Sequence, residues 1–236
     1  GPDAIVLVAT VRALRHHGGA LRAEYNMPSI EKVTAGLPNL VKHIENCKTF
    51  GITPTVAINH FPTDSQEEID LIIQTCEDLG VKAVLSQGFA KGGEGTKDLA
   101  AAVVAQINAG TNSFEKLYKW DIPVKSKIHT IATTIYGADE VEYSSEALKQ
   151  LKTIAELGME DLPICMAKTQ KSLSDKASLR SRPKDFSVHV REFEFAAGAG
   201  FIVPILGQMM RMPGLPSIPA SEGMNIDNQG KITGLS

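Results

Sequence analysis

Three short apolar runs, residues 4–10 (AIVLVAT), 53–58 (TPTVAI) and 81–85 (VKAVL), are separated by stretches whose apolar residues recur every three to four positions. No other feature constrains the fold as much. A strand, an amphipathic helix and a second strand bury their apolar faces together as a right-handed βαβ unit with a parallel sheet. The first run is continuous, as in a strand buried on both faces. Ile30, Val33, Leu37, Leu40, Val41 and Ile44 follow helical spacing, and Pro38 either kinks that helix or starts a second one. Ser65-Gln66-Glu67-Glu68 is a capping-box pattern. It opens a helix with Ile69, Ile72, Ile73, Cys76 and Leu79 on one face, and Gly80 stops it. A further helix, from about residue 97, carries Leu99, Val103 and Ile107 on one side.

After Gly110 the pattern changes. Val124, Ile128, Ile131 and Ile135 suit a helix, as do Leu148, Leu151 and Ala155, and residues 163–167 (PICMA) read as another buried strand. From Phe186 the alternation has period two: Phe186, Val188 and Val190 against Ser187, His189 and Arg191, with Phe193 and Phe195 extending it. Glycines 198, 200 and 207 and prolines 204, 213, 216 and 219 then interrupt the chain. The expected fold class is α/β: a parallel sheet with flanking helices built from βαβ units, followed by a small β-rich C-terminal domain.

At 236 residues the chain can bury a real core. A hydrophobic fraction of 43% and a net charge of −3 argue for a globular protein and against a nucleic-acid or membrane-surface role. No apolar run is long enough to span a bilayer, and no secretory leader is visible. Cys47, Cys76 and Cys165 are odd in number and far apart, so reduced core thiols in a cytoplasmic protein are expected. A strand begins almost directly after Gly1-Pro2, and a missing N-terminal portion is expected.

Two loops leave the C-terminal ends of neighbouring expected strands: Asn59-His60-Phe61-Pro62-Thr63-Asp64 and residues 86–96 (SQGFAKGGEGT). Ligands of open parallel sheets bind at that edge. Phe61 and Phe89 each stand where a core residue is not expected, and two such rings can take opposite faces of a flat heterocycle, at about 0.5–1.5 kcal/mol per stacked pair beyond area burial. The alternative is that each ring plugs a gap beneath its own loop. KGGEGT lacks the G-x-x-x-x-G-K-[ST] of a Walker A loop, and Glu94 opposes an anion there, so it reads as a tight strand-to-helix turn. Lys168-Thr169-Gln170 either faces the same crevice or forms a solvated turn. His16 and His17 are adjacent and point different ways, His43 and His129 read as surface or boundary residues, and His189 falls on the polar phase of its strand. With no H-x-x-x-H spacing, no metal site is expected.

The blocks VATVRALRHHGG, AINHFPTDS, FAKGGEGT, TIYGADEVEY, LPICMAKTQ, AAGAGFIVP and MPGLP occur in order along the chain. Together they resemble the C-terminal part of formate–tetrahydrofolate ligases. The resemblance implies an enzyme that makes 10-formyltetrahydrofolate from formate, tetrahydrofolate and ATP, with a divalent cation accompanying the ATP, through formyl phosphate. It implies that the pterin ring lies between Phe61 and Phe89, the latter standing where the family commonly has Trp. Leu85 is then expected to line the pocket. Asn59, Asp64 and Gln87 are expected to bond the pterin edge or hold the loops. Ser181 and Pro183, with Arg182 between them, are expected to approach the nucleotide. It further implies a division into residues 1–42, the end of a nucleotide-binding domain, 43–167, which carries the pterin loops, and 168–236, the small third domain. No Walker A sequence is present, so the chain is expected to be inactive alone, although the full-length enzyme is expected to be a homo-oligomer, typically a tetramer, acting on small molecules. The alternative is a non-catalytic folate- or nucleotide-binding or oligomerisation module.

Overall fold

The computed structural model describes residues 1–209 and 217–234, and the MPGLP block at 212–216 and the last two residues lie outside them. Strand β1 (Val6–Ala9) leads into helices α1 (Val11–His17) and α2 (Ile30–Thr49), then β2 (Thr55–Asn59), α3 (Gln66–Asp78) and β3 (Ala83–Ser86). The three strands form one parallel sheet in the order β1-β2-β3, as the alternation of apolar runs requires. Val8 lies opposite Ala57, and Asn59 opposite Ser86. Leu14, Leu37, Ile44, Ile58, Ile72 and Cys76 pack the core between this sheet and its helices. Ser65 caps α3 with the full capping box that its sequence predicts.

Three expectations change here. β1 is not buried on both faces: Val6 and Val8 are 39% and 62% exposed, because β1 is an edge strand and the helix beyond β3, α5 below, packs against β2 and β3. Of the two readings of Pro38, the start of a second helix does not hold: α2 runs through it for 20 residues, with Leu37, Leu40 and Ile44 buried on one face. Of the three thiols only Cys76 is buried, Cys47 is half-buried, and Cys165 is exposed.

After β3 come the short α4 (Gly88–Lys91), then α5 (Lys97–Ala109), α6 (Val124–Thr130), β4 (Glu140–Tyr143), α7 (Ser145–Glu156), β5 (Ser187–Ala196), β6 (Phe201–Leu206) and a terminal hairpin of β7 (Asn225–Ile226) and β8 (Ile232–Thr233). None of α5 is fully buried, and Ile107 is 46% exposed. The helix expected through Ile135 changes pitch: residues Ile131–Tyr136 form a π-helical turn. Two α2 side chains satisfy its carbonyls, with Lys42 Nζ donating to Thr134 O at 2.7 Å and Asn46 Nδ2 to Ile135 O at 2.9 Å.

A second sheet has the order β4-β5-β6, with β4 parallel and β6 antiparallel to β5. Residues 163–167 are not a strand of their own; they touch β6 through two single bridges, Ile164 to Ile202 and Ala167 to Ile205. Ile164 and Met166 turn inward there and leave Cys165 outward. α2 runs across the position between 42 and 43 without a break, and β4 pairs with β5 across 167. The buried apolar residues gather into one core from residues 9–83 and a second from 124–206. No helix among the described residues is long and apolar enough to cross a membrane.

Candidate functional site

Because β2 and β3 are adjacent and parallel, the loops that follow them rise from the same sheet edge, and His60 N donates to Ser86 O at 3.0 Å to extend their pairing. Residues 61–64 then close a turn: Asp64 N donates to Phe61 O at 3.0 Å, and Asp64 Oδ2 accepts from Phe61 N at 2.8 Å. Ser65 starts α3 immediately afterwards. Phe61 is thus fixed at its backbone by a side chain three residues on.

The other loop curls back on itself. Gln87 N donates to Gly95 O at 2.9 Å, and Gln87 Oε1 accepts from Lys91 Nζ at 2.7 Å. A Cβ on Gly95 would stand 2.5 Å from Gln87 O, so the curl needs glycine at that close approach. The turn lifts Phe89 off the surface until it is 77% exposed.

Phe61 and Phe89 face one another with ring centroids 5.9 Å apart and planes tilted by 40°. The Arg12 guanidinium lies 5.8 Å from the centre of the Phe61 ring. A flat ring inserted between two others needs van der Waals spacing on both faces, about 7–8 Å in all. The two rings here touch each other and must part to admit one.

The remaining expected residues divide. Leu85 is half-buried and packs against the core below the rings, and Asn59 is half-buried at the end of β2. Asp64 and Gln87 hold their own loops. Ser181, two residues before Pro183, belongs to a different contact. Ser181 N donates to His17 Nδ1 at 3.1 Å, Ser181 Oγ to Ala35 O at 2.9 Å, and Asn39 Nδ2 to Ser181 O at 2.9 Å. Arg182 makes a paired contact with Glu45 at 2.9 and 2.7 Å. This loop clasps α1 and α2. Beside it, the His16 and His17 rings are not apart but meet edge to face, with centroids 5.3 Å apart. Burial, with His16, His43 and Arg180 nearby, lowers the His17 pKa to about 4.

Lys168 packs its ammonium 4.8 Å from the Tyr136 ring centre, and burial lowers its pKa to about 8. Thr169 and Gln170 line a separate cavity of about 810 Å³ with Asp175 and His189. Another trough, of about 500 Å³, is walled by Phe50, Phe114, Tyr118, Trp120, Tyr136 and Ile164. Neither includes Phe61 or Phe89.

Sequence reasoning missed Arg15. Its side chain is fully buried and donates to Glu68 at 2.8 and 2.5 Å. Burial would raise the Glu68 carboxyl, yet hydrogen bonds from Arg15, Ser29 and Ser65 outweigh it and hold the pKa at about 2. The signal was available: Arg15 lies one and four residues beyond the buried Leu14 and Val11, a charge in the apolar phase of α1.

A family model described as formate–tetrahydrofolate ligase matches residues 1–236, including both loops that present the facing rings. By that match the chain belongs to the formate–tetrahydrofolate ligase family, ligases of tetrahydrofolate one-carbon metabolism that act on small-molecule substrates.

Proposed function

We propose that this chain supplies the pterin-gripping face of an ATP-dependent ligase that joins formate to tetrahydrofolate. The products are 10-formyltetrahydrofolate, ADP and phosphate, by way of formyl phosphate. The facing pair of Phe61 and Phe89, set on adjacent strand ends, carries this reading. The pterin enters between the rings and pushes them apart, replacing one aromatic contact with two. Leu85 and Asn59 form the floor, Asp64 and Gln87 keep the two loops in place, and Ser181 and Pro183 border the nucleotide. The sequence contains no Walker A loop to cradle phosphates, so these 236 residues alone do not complete the reaction. In the complete enzyme, a cytoplasmic homo-oligomer, ATP and its divalent cation are held by other residues.

Calorimetric titration with tetrahydrofolate tests the grip. Phe61→Ala and Phe89→Ala should each weaken binding about tenfold, the equivalent of about 1.4 kcal/mol for a lost ring face. Equal affinity in the wild type and both variants would remove the clamp. An assay for 10-formyltetrahydrofolate with ATP and formate should find no product from this chain alone.

A further inference from the structure

The Phe61 turn is held from behind by one guanidinium. Arg15 on α1 donates through Nε and Nη2 to Glu68, through Nη1 to Tyr25 O at 2.8 Å, and through Nη2 to Thr63 O at 3.1 Å. Thr63 lies inside the turn whose ends are Phe61 and Asp64. Both Nη2 protons are then spent, on Glu68 and on Thr63 O. Asp64 Oδ1 stands 3.9 Å from Nη2, shielded from solvent and with no hydrogen-bond partner. Its other oxygen, Oδ2, accepts from Phe61 N. The Arg15 charge therefore attracts a carboxylate that is bonded directly to the backbone of the ring-bearing residue.

Glu68 anchors the other side. It accepts from Ser29 N at 2.8 Å, from Ser65 N at 3.0 Å and from Ser65 Oγ at 2.8 Å. One buried ion pair thus ties α1, the start of α2, the start of α3 and the Phe61 turn into a single frame. The planar fork of arginine can reach four acceptors at once, which the single ammonium of lysine cannot do in the same geometry.

We propose that Arg15 is the positioning residue of the aromatic clamp, fixing where Phe61 stands through Thr63 O and the Asp64 carboxylate. This rests on the clamp reading for its effect on binding but not for its effect on the turn. A merely structural ion pair would stabilise the fold without singling out residues 61–64.

Two variants and two readouts test it. Arg15→Met with Glu68→Gln removes both charges of the pair together and leaves neither partner charged alone, and the one amide oxygen can still accept from Ser29 or from Ser65. Arg15→Lys keeps the charge but loses the fork. In both, amide hydrogen exchange at Phe61 and Asp64 should quicken about tenfold while Val56 and Ile58 in β2 keep their protection. Tetrahydrofolate affinity should fall about fivefold. If the double variant does not fold, Arg15→Lys carries the test. Unchanged exchange at Phe61 and Asp64 in a folded variant overturns the proposal, whatever happens to binding. Faster exchange with unchanged affinity also overturns it, provided Phe61→Ala does weaken binding. If Phe61→Ala binds as the wild type does, it is the clamp that fails, and the exchange result still judges Arg15's hold on the turn.

Discussion

At the scale of single residues, the molecule spends an aromatic side chain on solvent. Phe89 buries little of itself in the free protein, so its contact with Phe61 is the main thing that it stabilises. A larger ring at this position would add face area without disturbing a core. Phe89→Trp should therefore tighten tetrahydrofolate about threefold in a calorimetric titration while leaving the thermal midpoint unchanged. A drop in the midpoint would mean that the side chain packs more than its exposure indicates. Phe61 and Phe89 were legible because each follows a strand whose apolar run is plain. Arg15 was not, because a charge in an apolar phase reads as an interruption until its partner is known, and Glu68 lies 53 residues away. Asp64 and Gln87 could be assigned to loops, but only coordinates reveal that their polar atoms bond within those loops.

Among the elements, the crossing of α1 over α2 matters most to the site. A Cβ on Gly36 would fall 2.0 Å from Leu14 O, and one on Gly18 would fall 1.7 Å from Lys32 O. These glycines let two backbones touch, which sets α1 low enough for Arg12 to reach the Phe61 ring and Arg15 to reach Glu68. Gly36→Ala should cost at least about 1–3 kcal/mol in urea unfolding, because a backbone carbonyl cannot move aside as a side-chain tip can. A loss well below that would place slack between the helices. The alternation of β5 and the cap of α3 were readable here, since period two and the S-x-x-E pattern are local. The pitch change at 131–136 was not. It depends on Lys42 and Asn46, which lie some ninety positions earlier and meet the freed carbonyls only in three dimensions.

Across the whole molecule, two cores meet along the clasp of the 180–182 loop on α1 and α2. Ser181 N donates to His17 Nδ1, which must be unprotonated to accept. The folded pKa of His17, at about 4, lies below its ordinary value of 6.5, so the unfolded chain takes up the proton first as pH falls. Its stabilising effect is whole above about pH 6.5 and is lost between there and about 4. Burial lowers His16 and His43 as well, with the same sign. The thermal midpoint should fall from pH 7 to pH 4.5, and His17→Asn should flatten part of that slope. A flat wild-type profile would show that His17 is not held neutral in the fold.

The chain's single tryptophan, Trp120, lies half-exposed beneath the Lys116 ammonium, 4.2 Å from the ring centre, in the trough with Phe50. Phe50 precedes β2 and Phe61 follows it, across a strand of five residues, about 16 Å long. Indole emission from this protein consequently senses the polarity around residues 116–120, at the far end of that strand from Phe61. Swapping Phe89 for Trp would put a second fluorophore on the proposed clamp.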